Sequence, residues 1–342
     1  MDLQIALFLA QDGIVNGAVY ALLALALVLV FSVTRVIFVP QGEFVAFGAL
    51  SMAALSAGGR PGTLWLLLAL AAIALVIEAW RAQRGAEVDW ASTFVWAVAA
   101  PALAALLVLV VKPTAQWVQA LTTLALVTPL GPLLYRIAFR PLAHATVLTL
   151  LIVAVAMHGV LVGLGLYFFG AEGSRTAPFS DARLDVSGMM ISGQSLFVIG
   201  ATLVLSALLF AFFERTIVGK ALRATAINRV GARLMGIPTD LAGDLSFALA
   251  AMIGAVSGLL IAPLTTVYYD TGFLMGLKGF VAAIIGGLAS YPVAMAGAVL
   301  VGLLESFSAF WASALKEVIV FTLIIPVLLW RSLKSRHVEE DE

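Results

Sequence analysis

Glu43, His158, Lys278 and Glu305 stand out in this sequence because each interrupts a long apolar stretch. An ionisable group near the middle of a bilayer costs about 3 kcal/mol or more, so it either finds a partner or serves a path. Glu43 follows Gln41 and Gly42, and the glycine permits close backbone approach or an unusual turn. Two readings stand for this trio. Glu43 caps or pairs within a broken helix, or Gln41, Gly42 and Glu43 line a path or gate. Lys278 either snorkels to the outer interface or holds a half-helix against its neighbour, and an ion pair with Glu43 is one such arrangement. Glu305 comes late in its segment, close enough to the outer surface to be solvated. His158 lies mid-segment, as a hydrogen-bonded packing residue or as a proton relay. Nothing here resembles an enzyme centre. No GxxxxGK[ST], HExxH, CxxC or GxSxG motif is present. There is no cysteine, and His144, His158 and His337 are too scattered for a metal site. No cofactor is expected.

The elements that must carry these residues follow from composition. Of 342 residues, 63% are hydrophobic and 11% charged, and the mean hydropathy is +1.10. A soluble domain is about 25% charged. The chain has too few polar residues to cover a core of this size, which excludes a soluble globular protein, a disordered chain and a nucleic-acid binder. The net charge of zero gives no pull toward a polyanion. The expected class is all-α, a polytopic transmembrane helical bundle of ten to eleven segments. The apolar stretches lie near 14–34, 40–57, 63–80, 92–111, 117–135, 144–169, 194–213, 241–262, 273–289, 292–311 and 316–331. The second and ninth are short and glycine-rich, in the manner of re-entrant or broken helices. Residues 3–10 suit a short interfacial helix ending before Asp12-Gly13. No cleaved signal peptide is expected, since no basic region precedes the first apolar stretch.

Placing the C-terminus in the cytoplasm puts thirteen basic residues on that side, against Arg60, Lys112, Arg175, Arg183 and Lys316 outside. The positive-inside rule favours this orientation, with an external N-terminus. Residues 1–336 then form one membrane unit with an external loop at 171–193 and a cytoplasmic loop at 214–240, followed by an acidic tail at 337–342. Asp185 through Ile191 suit a small external hairpin. Gly159-xxx-Gly163 and Gly254-xxx-Gly258 have the small-residue spacing of close helix packing.

The loop at 214–240 is the largest basic cluster. Leu222, Ile227, Val230 and Leu234 recur at near-helical spacing, with Lys220, Arg223, Arg229 and Arg233 supplying the polar side. The spacing predicts one amphipathic helix flat on the cytoplasmic face. Gly236 suits its stop, Pro238 blocks continuation, and Thr239 or Asp240 can cap the next helix. Such a helix either fixes topology or docks a cytoplasmic partner.

Ala221-Leu-Arg-Ala-Thr-Ala226 and Ala232-Arg-Leu-Met-Gly-Ile237 resemble the cytoplasmic loop of branched-chain amino-acid ABC transporter permeases of the LivH/LivM type. Four further stretches resemble the same family in order. They are Asn16–Leu22, Val36–Phe44, Tyr135–Leu142 (a loop, with three extra residues) and Gly276–Leu288, after which Gly302-Leu-Leu-Glu305 follows. Phe38, Pro40-Gln41 and Asn228-Arg229 depart from the family pattern, and residues 60–115 look like an insertion of two spans. The resemblance implies a permease fold with a coupling helix whose residues include Lys220, Arg223, Arg229, Arg233 and Gly236. It implies as partners ABC ATP-binding subunits, a second permease subunit (related or identical), an external solute-binding protein and the lipid bilayer. ATP hydrolysis would fall on a partner chain. The implied substrates are branched-chain or other hydrophobic amino acids, with amides, urea or aromatic acids carried by related systems. The implied location is the bacterial inner membrane. A self-contained secondary transporter or channel is the alternative, relying on Glu43 and Glu305. A structural subunit of a membrane complex is a third reading.

Overall fold

The computed structural model describes residues 3–143, 145–186 and 189–334. His144, Ser187, Gly188 and the acidic tail, with His337, lie outside the described residues. Thirteen helices and one hairpin follow in order. They are α1 (Leu3–Thr34), α2 (Gln41–Ser56), α3 (Thr63–Gln83), α4 (Trp90–Val111), α5 (Gln116–Leu142) and α6 (Val147–Phe169). The hairpin strands are β1 (Arg183–Val186) and β2 (Met189–Ser192). Then come α7 (Gly193–Arg215), α8 (Ile217–Ile227), α9 (Arg229–Leu234), α10 (Thr239–Ile261), α11 (Thr271–Ile285), α12 (Tyr291–Trp311) and α13 (Ser313–Trp330). Among the described residues nine of these helices are long and apolar enough to cross a bilayer.

α2 and α11, with 16 and 15 residues, are the short pair the glycine content points to. At 1.5 Å per residue they reach roughly 24 and 22 Å, against a hydrocarbon core of about 30 Å. α2 begins beside the middle of α10, where Gln41 Nε2 donates to the Ala250 carbonyl at 2.9 Å. The turn before it takes Arg35 into the left-handed region (φ 62°). Phe38 then seals the turn against Phe44, Phe139 and Phe247 at 4.9–5.8 Å between ring centroids.

α1 forms the axis. It packs against α10, α11 and α12, and α10 packs in turn on α2. Small residues allow the approach: a Cβ on Gly17 would crowd the Val299 backbone, and one on Gly258 the Val45 carbonyl. In a membrane, where apolar burial gives little drive, such contacts hold helices together by dispersion. Gly254 and Gly258 thus pack as the spacing predicts. Gly159 and Gly163 do not, because a Cβ at either would meet open space. The outer helices present apolar side chains outward, including Val110, Ile152, Leu203 and Leu329, each at least 60% exposed. That surface suits lipid or a neighbouring subunit.

Three expectations need correction here. Residues 3–10 do not form a separate helix, because Asp12 and Gly13 continue inside α1, where Gly13 nests against Leu303 and Gly302 of α12. Residues 135–142 are not a loop. The chain stays helical through a π turn at Tyr135–Phe139 and a 3-10 turn at Arg140–Leu142, so the extra residues are absorbed in the helix. The predicted coupling helix is two helices, as described below. The hairpin does form, antiparallel, with Arg183 opposite Ser192 and Asp185 opposite Met190. Arg175 anchors its loop by donating from Nε to the Pro263 carbonyl at 3.0 Å.

Candidate functional site

Four polar features interrupt this apolar frame. The first lies where α2 meets α11. Gly42 touches the backbone of Gly272 and Gly276 so closely that a Cβ would overlap the Gly272 carbonyl. Glu43 is completely buried and its Oε1 is 2.8 Å from His158 Nδ1 of α6. The imidazole stacks on Phe273, with ring centroids 4.3 Å apart. Glu43 therefore pairs with His158, not with Lys278. Glu43 Oε2 and Gln41 Oε1 are buried without a protein partner. Leaving such an acceptor unmet costs about 1–3 kcal/mol, so both oxygens have the capacity to accept a further hydrogen bond.

The second lies where α1, α11 and α12 meet the start of α13. Lys278 Nζ bonds Glu305 Oε1 and lies 3.2 Å from Glu317 Oε1. Tyr20 donates its hydroxyl to Glu305 Oε2 at 2.6 Å. Glu305 is not solvated as expected. It is only 9% exposed, because Tyr20 and Lys278 close over it. Of the two readings for Lys278, the structure selects the tie between α11 and its neighbours.

The third feature escaped the sequence reading. At the opposite end of the bundle, Arg136 of α5 lays its guanidinium along the Asp244 carboxylate of α10, with Nε 3.1 Å from both oxygens. Arg136 also donates from Nη1 to Thr93 Oγ1 of α4 at 2.9 Å. Beside it Arg140 bridges Glu78 of α3 (2.8 Å) and Asp240 of α10 (2.9 Å). Arg136, Asp244 and Glu78 are each under 5% exposed. The sequence did hold a signal: Glu78 and Asp244 lie inside apolar stretches, and Arg136 and Arg140 fall on the same side of the bundle. Counting the arginines only for topology hid it.

The fourth is the loop at 214–240. Thr216 caps α8 by accepting from Gly219 N at 2.9 Å. At Asn228 the chain leaves helical geometry (φ −147°, ψ 99°), and its Oδ1 caps α9 by accepting from Gly231 N at 2.8 Å. One predicted helix is thus an elbow of two. Leu222 turns inward against Leu29, Val33 and Ala242. Ile227, Val230, Leu234 and Met235 are 71–83% exposed. Leu222 therefore does not share one face with Ile227, Val230 and Leu234: Ile227 lies five residues, about 140°, further round α8, and the asparagine cap resets the helical phase for α9. Lys220, Arg223 and Arg233 are exposed and Arg229 is half-buried. Arg223 pairs with Glu214 at 2.8 Å, and Arg233 donates to Thr239 Oγ1 at 3.1 Å. Gly236 is the stop the sequence suggests. Its φ of +82°, with Gly236 N bonded to the Arg233 carbonyl and Ile237 N to the Ala232 carbonyl, closes α9 in a Schellman turn. Neither Thr239 nor Asp240 caps α10, since their side chains serve Arg233 and Arg140.

A polytopic helical bundle with several ionic groups buried between its helices, and a capped elbow joining two long apolar helices, defines the class: a multi-pass membrane protein. A family model described as "Branched-chain amino acid transport system / permease component" matches residues 88–328. The chain belongs to that family, as a permease subunit of an ABC importer and not an enzyme. The "High-affinity branched-chain amino acid transport system permease protein LivH" of Salmonella typhimurium is 28% identical, over 96% of this chain and 95% of that one. LivH of Escherichia coli K12 is 26% identical over the same shares. BraD of Pseudomonas aeruginosa, similarly described, is 30% identical over 57% of this chain and 66% of that one.

Proposed function

We propose that this chain forms one half of the path by which branched-chain or other hydrophobic amino acids enter the cell, and that the elbow at 214–240 couples the path to a separate ATP-binding subunit. A second permease subunit completes the path, and an external solute-binding protein delivers the substrate. The N-terminus lies outside and the C-terminus in the cytoplasm, with residues 60–115 contributing α3 and α4 to the rim. The observation that carries the coupling role is the apolar patch of Ile227, Val230, Leu234 and Met235. All four side chains are exposed on the elbow that joins α7 to α10, which also carries Arg223 and Arg233. Apolar residues exposed together outside the bilayer suit burial by a protein partner. Lys220, Arg229 and Gly236 belong to the same docking face. Gln41, Gly42 and Glu43 line the path near its midpoint, and Lys278 and Glu305 hold its outer end. The relatives' names supply the substrate class.

Val230→Glu with Leu234→Glu is expected to leave the chain inserted, since both residues are exposed, yet to lower ATP-driven uptake at least tenfold. Uptake at the parental rate would remove the coupling role from the elbow. In vesicles carrying the complete system, leucine uptake should be competed by isoleucine and valine but not by urea or a simple amide. Competition by urea equal to that by valine would reject the amino-acid reading.

A further inference from the structure

At the outer end of α1, between α11, α12 and α13, lies a cavity of about 600 Å³. Its walls combine two chemistries. Phe8, Val15, Leu264, Leu274 and Met275 form an apolar side. The polar side holds the carboxylates of Asp12, Glu305 and Glu317 against two ammonium groups, Lys278 and Lys316. Most of these groups satisfy one another. Glu305 is bonded by Tyr20 and Lys278, and Asp12 Oδ2 accepts from Ser306 at 2.9 Å and Asn16 at 3.4 Å. Two lining residues keep an unmet acceptor: Gln11 Oε1 and Glu317 Oε2 are buried without a hydrogen-bond partner.

We infer that this cavity is an entry subsite for an apolar α-amino acid, with the ligand's ammonium group bonded by Glu317 Oε2 and Gln11 Oε1. The inference rests on the amino-acid reading above and adds where the substrate first meets this chain. The surplus of carboxylate over ammonium in the walls calls for a cation. Two acceptors in one cavity call for a group with several donors, and a primary ammonium has three. The apolar wall accepts an aliphatic side chain, which urea lacks. Lys316 is left to face the ligand's carboxylate, because Lys278 is held by two carboxylates while Lys316 is 3.9 Å from Glu317 and partly exposed. Lys278, Tyr20 and Glu305 act as a strut that keeps the cavity open, with the Lys278 ammonium 5.8 Å from the centre of the Tyr20 ring.

The test uses the purified full chain in lipid nanodiscs and binding of radiolabelled leucine. Leucinamide keeps the ammonium and the side chain but not the carboxylate. 4-Methylpentanoate keeps the side chain and carboxylate but not the ammonium. Leucine and leucinamide should compete, and 4-methylpentanoate should do so about tenfold less well or worse. Glu317→Gln should weaken leucine binding about tenfold, Glu317→Asp should restore most of it, and Gln11→Leu should weaken it in the same direction. The proposal is overturned by absence of saturable leucine binding, by equal competition from 4-methylpentanoate, or by parental affinity in monodisperse Glu317→Gln. Should Glu317→Gln fail to remain monodisperse, Gln11→Leu decides in the same way. Leucine uptake by the complete system is measured alongside. Uptake without binding at this cavity discards the subsite and leaves the transport reading standing, whereas no uptake of any branched-chain amino acid strikes at the transport reading itself.

Discussion

Gly42→Val is expected to abolish transport and to strip the protein of at least about 3 kcal/mol of stability. Overpacking a core position with side-chain neighbours costs about 1–3 kcal/mol, because side chains move aside. Here the neighbour is backbone: a Cβ on Gly42 would overlap the carbonyl of Gly272, whose own missing Cβ faces the Gly42 carbonyl. Two helices would have to separate, and the pairing of Glu43 with His158 sits one residue away. Thermal unfolding followed by size-exclusion chromatography checks the stability, and vesicle uptake checks the function. Gly159→Ala is the control, since a Cβ there meets nothing within 4 Å. It should melt within a degree or two of the parent. A Gly42→Val protein that melts with the control would show that α2 and α11 part without cost.

Arg136→Ala should be nearly as damaging. Removing one member of a buried ion pair strands the other and costs about 3–5 kcal/mol, more than the pair itself contributes. Asp244 would be left buried with only the Ser92 hydroxyl at 3.3 Å. Asp244→Ala should cost a similar amount, and the double variant clearly less than the two costs added together, because neither charge is then stranded. The measurement is a double-mutant cycle on denaturant-induced unfolding. Strict additivity would mean that the two side chains do not act as a unit. The pair also ties α4, through Thr93, to the α5–α10 contact. Activity should therefore fall in the single variants even at temperatures where they remain folded.

Much of this architecture is legible in the residues. Apolar stretches of some twenty residues give the spans because nothing else buries so much hydrocarbon. Short glycine-rich stretches give α2 and α11 because glycine marks close backbone approach. Asp185 to Ile191 gives the hairpin because a Ser-Gly pair between two short runs is a turn signal. The illegible part has a common cause. Ion-pair partners lie far apart in the chain, as with Glu43 and His158 or Arg136 and Asp244, and a side chain's type does not name its partner. Lys278 shows this well. The sequence left it to snorkel or to pair, with Glu43 as one candidate partner, whereas the folded chain brings it Glu305 and Glu317. The elbow failed for a local reason. Apolar periodicity runs smoothly across Asn228, and only its side chain closing on Gly231 N breaks the helix there. Asparagine ahead of a glycine-containing turn was the available cue.

That break has a mechanical consequence. A straight rod would deliver any push on the loop equally to both ends. A jointed one does not. The α8 arm is clamped to the end of α1 through Leu222, while the α9 arm buries only Ala232 and leads through Gly236 and Pro238 straight into α10. Under the proposed coupling role, a load borne by Val230 and Leu234 would swing the looser arm first and reach α10, the helix that carries both Asp244 and the backbone acceptor for Gln41. The joint would then act as a pivot: Leu222 holds the first arm against both α1 and the start of α10, through Leu29, Val33 and Ala242, while the second arm is free to turn.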